Sequence, residues 1–453
     1  MSKPSRPAIA PRVSAATREL PRVLGLGDVI GIVVGSVIGS GIFIVPATIA
    51  AQVRSPLLIL AVWLAGGVLT FFGALAFSEL GSAFPQAGGM YVYLREAYGP
   101  LVSFLFGWTL FLVIDSGAIA TLVSAFATKY LPFFFRLSPL ATKLVMVAVI
   151  LFLMAVNIVG VRWGARLQNL LTIVKLAAIA ALVLLVLAFV RGNPVQLVRP
   201  LPEAFSFGLI GRFGVALVAS LWAYKGWEAA TFSSGEIANP QRNLFRGLLL
   251  GTLLVILLYL VTNLAYLYAF PASVIARSSR IAADAMSAAI GPFGASLIVF
   301  FILCSITGSA NGNVLTSPRV YFAMARDGLF FRGIARVHPR FLTPHVSILA
   351  IGAWSIVLSL TGTFEQLFTY VIFGQWIFFG LTVGAVFILR RKRPNLPRPY
   401  RTWGYPVTPA IFILAALFIS ASSLIQQFWN ALAGLAIILL GVPAFFYWRR
   451  RRR

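Results

Sequence analysis

Cysteine is almost absent from this chain: Cys304 is alone among 453 residues. No intramolecular disulfide can form, and no cysteine-based metal cluster is available. Histidine is nearly as scarce, and His338 and His345 sit in a loop with Pro339 and Pro344, without the company that a metal site requires. Charged residues make up 11% of the chain, where soluble domains carry about a quarter. Also missing are a phosphate-cradling Walker loop, a nucleophile elbow and any zinc-ligand spacing. Together these absences exclude the familiar soluble enzyme classes, and neither a metal nor another cofactor is expected.

Apolar sequence is what the chain has in excess, 60% of its residues. It falls into twelve runs, roughly 23–51, 57–83, 99–127, 141–161, 165–190, 209–235, 244–270, 291–325, 345–362, 366–389, 407–425 and 428–447. Each is near the ~20 residues that a helix needs to cross hydrocarbon. The chain therefore reads as an all-α polytopic membrane protein of twelve transmembrane helices, a lipid-bilayer protein with no soluble domain between spans.

A net charge of +26 would suggest nucleic acid as a partner if the charges formed a folded face. They flank spans instead. With the amino terminus in the cytoplasm, 26 of the 37 Lys and Arg lie on the cytoplasmic side, nine lie outside, and Lys175 and Lys225 fall within spans. This asymmetry is the positive-inside rule. It predicts cytoplasmic termini and anionic headgroups, not nucleic acid, beside the basic clusters. Short loops and bare tails suggest a cell inner membrane. Residues 1–22 read as a disordered cytoplasmic tail with no removed signal peptide, and 448–453 as a basic cytoplasmic tail.

Two spans look mechanically broken. The first contains "GSVIGSGIF" at 35–43, and the sixth contains "WAYKGWEAATFSSGEIANP" at 222–240. A broken helix in lipid leaves backbone groups unpaired, at several kcal/mol each, unless they line a cavity or bind something. Gly31, Gly35 and Gly39 are spaced by four and also suit close helix packing. Gly39, Ser40 and Gly41 are contiguous and cannot share one packing face. Interrupted spans at corresponding places in two halves point to a transporter with inverted repeats around a central site. Spans one and six are five apart, which predicts a ten-helix core over 23–389, with repeats 23–190 and 209–389. A basic loop and helices eleven and twelve then occupy 390–447.

Five blocks carry a resemblance, in order along the chain: "GSGIF" at 39–43, "SELGSAFPQAGGMYVYLREAYGP" at 78–100, "WAYKGWE" at 222–228 with "GEIANPQRN" at 235–243, "GSANGNVLTSPRVYFAMARDG" at 308–328, and "RPNLPRPYRTWGYP" at 393–406. They are similar to the sodium-independent transporters of the amino acid, polyamine and organocation superfamily, especially the L-type branch. The resemblance implies the fold of the sodium-coupled leucine transporter, with spans one and six unwound at mid-membrane. It further implies that the amides around Ser40, Gly41 and Ile42, with the Ser40 hydroxyl, receive an amino acid's carboxylate. The carbonyls of Val37, Trp222 and Lys225 would receive its ammonium. Helix-end physics agrees, since free amides suit an anion and free carbonyls a cation.

Ionisable groups in the bilayer are costly and are functional candidates by default. Lys175 lies about ten residues from either end of span five, too deep for easy snorkelling. In the resembling family a lysine here reaches between spans one and eight, near the sodium position of coupled relatives, which implies a fixed charge in place of the ion and a candidate proton carrier. Ser309 is the chosen partner in span eight, ahead of Thr307 and Ser305. Lys225 and Glu228 depart from the family's usual residues. Either they neutralise each other across a turn, or Glu228 lines the side-chain end of the pocket. Asp115 either faces that pocket or pairs with Lys225. Trp222 and Trp227 flank the break, where aromatics commonly pack; the resemblance implies that Trp222 acts as a lid. Glu236, with Asn239 and Arg242, ends span six as a solvated cap or as part of an inner gate with Glu79 or Arg319.

The expected activity is sodium-independent secondary transport of amino acids by alternating access, through exchange or proton coupling. Polyamine or organic-cation transport and a non-transporting amino acid receptor are the alternatives. With no cysteine in any loop, no disulfide-linked partner subunit is expected.

Overall fold

Prolines mark where many of the helices begin. Pro56, Pro100, Pro139, Pro240 and Pro318 each occupy a first helical turn, where the missing N–H would lack a partner anyway and the fixed φ suits the helix. The computed structural model describes residues 20–194, 207–361, 364–426 and 428–452. The expectation of a disordered amino-terminal tail falls almost wholly on residues 1–19, outside this set.

The described residues form helices α1 (Leu26–Val37), α2 (Gly41–Val53), α3 (Pro56–Ala83), α4 (Met90–Tyr98), α5 (Pro100–Thr109), α6 (Asp115–Ala125), α7 (Pro139–Val159), α8 (Val161–Phe189), α9 (Phe207–Ala223), α10 (Ala229–Phe232), α11 (Pro240–Ala269), α12 (Ala272–Ile275), α13 (Ile281–Thr316), α14 (Pro318–Arg326), α15 (His345–Thr361), α16 (Phe364–Lys392), α17 (Val407–Gln426) and α18 (Phe428–Arg452). A π turn at Leu110–Ile114 joins α5 to α6. Among the described residues the only β pairing is an isolated bridge between Leu24 and Ile237.

This is a polytopic membrane protein. Among the described residues, eight helices are long and apolar enough to cross a bilayer, and a ninth span results if α1 and α2, bent by 44° at their junction, count as one. Length and composition thus mark fewer spans than the twelve expected. Two of the remaining helices, α9 and α15, are apolar but shorter. α9 stops at Ala223 because the chain turns through Tyr224–Glu228 before α10.

α13 runs along α8, α11 along α3 and α1, and α2 along α9. Glycines permit some of this closeness. A methyl at Gly31 or Gly35 would collide with the Asn169, Gln168 or Thr172 side chains of α8, so these two positions serve packing. In lipid, where apolar contact with a neighbouring helix gains little over contact with a tail, close approach and polar pairing carry the association.

Candidate functional site

The two helix interruptions meet. A Cβ at Gly41 would lie 2.8 Å from the Ala223 Cα, at the end of α9. Gly226 has φ +115°, and a Cβ there would lie 2.9 Å from the Ser36 carbonyl carbon, near the end of α1. Backbone therefore rests on backbone in both directions, which requires glycine at both places. Where they meet is a cavity of about 60 Å³ bounded by Ser36, Val37, Gly39, Ser40, Gly41, Trp222, Lys225 and Ser309. That is roughly four times the ~15 Å³ a water needs by this measure, so a large side chain does not fit in this conformer.

Several polar groups at the cavity lack partners. The N–H groups of Ser40, Gly41 and Ile42 make no hydrogen bond among the described residues, because α2 starts at Gly41 and offers them no preceding turn. Ser36 Oγ and Thr121 Oγ1 are likewise buried without partners, and both residues line the cavity. Buried polar groups of this kind are normally satisfied. Ser36 and Thr121 escaped the sequence reading, since a serine or threonine in an apolar run usually bonds its own helix.

Of the expected ammonium acceptors, the Val37 carbonyl faces the Tyr259 hydroxyl at 3.2 Å, and the same hydroxyl lies 2.9 Å from the Ala223 carbonyl. The Trp222 carbonyl accepts the Lys225 N–H at 3.1 Å. The Val37 carbonyl also accepts the Gly39 N–H at 2.8 Å, whereas the Trp222 carbonyl keeps a second lone pair for another donor. Tyr259 also carried no sequence signal.

Behind the cavity, Lys175 is completely buried. Its Nζ donates to the carbonyls of Gly35 (2.8 Å), Ile38 (2.5 Å) and Ser305 (3.1 Å), and lies 3.5 Å from Ser309 Oγ. The first two carbonyls are those released where α1 ends, the negative end of the helix dipole. Ser309 Oγ sits 3.1 Å from both of them, and Ser305 Oγ donates to Ile38 at 2.9 Å. One ammonium thus ties α1, α8 and α13 together. Thr307 is not part of this knot, because its hydroxyl bonds Leu303 in its own helix.

The charges of broken span six divide differently from the simplest expectation. Lys225 reaches Asp115 (3.6 Å), whose other oxygen accepts from Ser317 Oγ at 2.5 Å. Asp115 is therefore a partner for Lys225 and not a cavity wall. Glu228 turns away from the cavity: its carboxylate accepts the Gly226 N–H (3.1 Å) and Gln375 Nε2 (2.6 Å), bracing the unwound turn against α16. Trp227 is packed among Phe77, Phe379 and Phe412, with ring centroids 4.6, 5.4 and 6.5 Å away. Trp222 borders the cavity between the two breaks. Ile42 is fully buried and contributes backbone only.

At the far end of the break, Glu236 and Arg319 form a bidentate pair, 2.5 and 3.0 Å, with both side chains wholly buried. Arg319 also donates to the Leu315 carbonyl. Glu79 is elsewhere, holding Arg390 (2.7 Å) and the Thr402 N–H (2.7 Å) of the basic loop. Removing one partner of a buried pair costs about 3–5 kcal/mol, whereas removing both costs much less. Glu236→Ala should therefore lower unfolding free energy by that amount in a denaturant titration, with Glu236→Met/Arg319→Met losing clearly less than the sum of the two single changes. Additive losses would contradict the coupling.

Comparison with known proteins places this geometry. The family model described as amino acid permease matches residues 24–442. The chain is 33% identical over 436 residues to the serine/threonine exchanger SteT of Bacillus subtilis, an alignment covering 96% of this chain and 98% of the relative. It is 31% identical over 435 residues to the mouse b(0,+)-type amino acid transporter 1, covering 95% and 88%. It is 31% identical over 434 residues to the human cystine/glutamate transporter, covering 94% and 85%. A family match over nearly the whole apolar region, on a bundle whose two broken helices face each other across a cavity, makes this chain a member of the amino acid permease family: a multi-pass membrane transporter of amino acids, not an enzyme.

Proposed function

We propose that the protein is a sodium-independent secondary transporter that binds the zwitterionic end of an amino acid between its two broken helices and works by alternating access. One observation carries this reading: the start of α2, where amides lack partners among the described residues, and the ends of α1 and α9 border one small cavity. A carboxylate suits the Ser40, Gly41 and Ile42 amides. An ammonium suits the carbonyls of Val37, Trp222 and Lys225, with Ser36 Oγ and Thr121 Oγ1 as further partners for the bound molecule. Trp222 is the lid over it, and Lys225, held by Asp115 behind it, gives the side-chain end a polar wall.

Lys175 takes the place of a coupling cation. Its three carbonyl acceptors belong to α1 and α13, the elements that must part if the bundle is to rock. Sodium is then unnecessary, and the Glu236–Arg319 pair serves as the inner closure. Substrate promotes movement only through contacts that are better in the occluded state, and Trp222 closure supplies them.

The twelve-span, five-plus-five reading is supported by the two shorter apolar helices, α9 and α15, and by α16, which together with the nine spans above would make twelve. The basic clusters favour cytoplasmic termini, by the positive-inside rule, in a cell inner membrane. The lone Cys304 on α13 leaves no loop thiol for a disulfide-linked subunit.

Counterflow into proteoliposomes preloaded with unlabelled amino acids tests the proposal. A labelled neutral amino acid should accumulate transiently, to the same extent with sodium replaced by choline. Accumulation that requires sodium, or binding without any counterflow, would overturn it. Exchange is distinguished from proton coupling by imposing a pH gradient on empty vesicles: uptake there signifies a proton symporter, and its absence an obligate exchanger.

A further inference from the structure

At the end of the bundle that holds the Glu236–Arg319 pair, a second cavity of about 510 Å³ opens, within the size range of small-molecule sites. Three guanidinium groups face it, from Arg22, Arg95 and Arg326, and one carboxylate, from Asp327. Asp327 is already committed: it accepts from Arg95 (2.5 Å) and from the Tyr91 hydroxyl (2.8 Å). Arg95 has a second acid in Glu96, 3.1 Å away. Arg22 and Arg326 have no carboxylate among the described residues, although Arg326 lies over the Phe322 ring. Two unpaired guanidinium groups around one cavity repel each other until an anion with several acceptor oxygens joins them.

Arg22 is not on a loose tail. Leu20 packs with Phe322 and Val337 in a small apolar cluster. The Val23 and Leu24 N–H groups donate to the Glu236 carbonyl (2.8 and 2.9 Å), and the Ala238 N–H donates to Leu24 (2.9 Å). The strap Leu20–Leu24 thus holds Arg22 at the cavity while fastened to the inner end of broken span six. Arg326 belongs to α14, the helix that also carries Arg319.

We propose that this cavity binds a phosphate-type anion, bridged by Arg22 and Arg326 with Arg95 behind them, and that occupancy clamps the strap to α14 and slows transport by holding the inner face closed. The same chemistry is offered by a phospholipid headgroup and by a soluble phosphate compound.

Pyrophosphate is the probe for the test, on the full-length protein in phospholipid-free detergent. It should raise the thermal unfolding midpoint saturably, and in neutral-lipid vesicles it should slow counterflow. Arg22→Gln/Arg326→Gln should weaken the apparent affinity by about a hundredfold, roughly tenfold for each charge-assisted contact set lost, with counterflow in neutral vesicles unchanged. Arg449→Gln/Arg450→Gln, in the basic carboxy-terminal helix end, should leave the response intact. If phosphatidylglycerol vesicles abolish the pyrophosphate response, a headgroup is the natural occupant; if the response persists there, the occupant is soluble. No saturable effect of either probe, or an equal response in the Arg22/Arg326 variant, would overturn the proposal.

Discussion

Lys175→Met should abolish counterflow, a fall of at least a hundredfold, in a protein that still inserts and purifies as a monodisperse species. The substitution keeps the stem and removes the charge. It takes the charged donor from the Gly35, Ile38 and Ser305 carbonyls at a fully buried site. A hydrogen bond from a charged group contributes about 1.5–3 kcal/mol, so losing even one or two shifts the balance between conformers by a hundredfold. Lys175→Arg should not rescue, because a planar fork cannot meet three convergent carbonyls as an ammonium does. Retained counterflow in the methionine variant would remove Lys175 from the transport cycle.

Gly41→Ala should be nearly as severe, with substrate affinity reduced about a hundredfold. The new methyl would meet the Ala223 Cα at 2.8 Å, and backbone cannot rotate away as a side-chain tip can. The two breaks must separate, which pulls the α2 amides from the carbonyls opposite and spoils a geometry whose value depends on tenths of an ångström. Gly27→Ala is the control, since nothing lies within 4 Å of its added methyl; it should bind normally. Thermal stabilisation by added amino acid reads both variants, and wild-type affinity for Gly41→Ala would show that the close approach is dispensable.

Much of this site was legible in the chain because its causes are local. Three contiguous small residues in an apolar span, Gly39 to Gly41, signal an opened helix, and a lysine ten residues deep signals a buried charge. Side-chain partners were legible only as alternatives (Ser309 for Lys175, Asp115 for Lys225, Arg319 for Glu236), and the backbone contacts were not, because pairing depends on which helices the bundle brings together. Gly41 meets Ala223 and Gly226 meets Ser36 across some 180 residues of sequence. The acceptors around Lys175 are mostly carbonyls, which every residue has, so no side-chain pattern announced them. Glu228 and Lys225 are three apart and read as a pair, yet an unwound turn lacks helical spacing, and their carboxylate and ammonium go to Gln375 and Asp115. The span count also resisted simple reading, since the break that makes the site shortens the helix by which a span is recognised.

The charges that do pair are divided between the two ends of broken span six. Asp115 and Lys225 lie beside the cavity, whereas Glu236 and Arg319 lie where the chain returns to helix.

The most direct test of the zwitterion cradle is competition against counterflow of a labelled amino acid by two altered forms of that same molecule, its methyl ester and its 2-hydroxy acid. The ester removes the negative charge that the Ser40, Gly41 and Ile42 amides are held to receive, and the hydroxy acid removes the ammonium. Both should compete at least a hundredfold more weakly than the parent amino acid. Equal competition by either one would contradict the account.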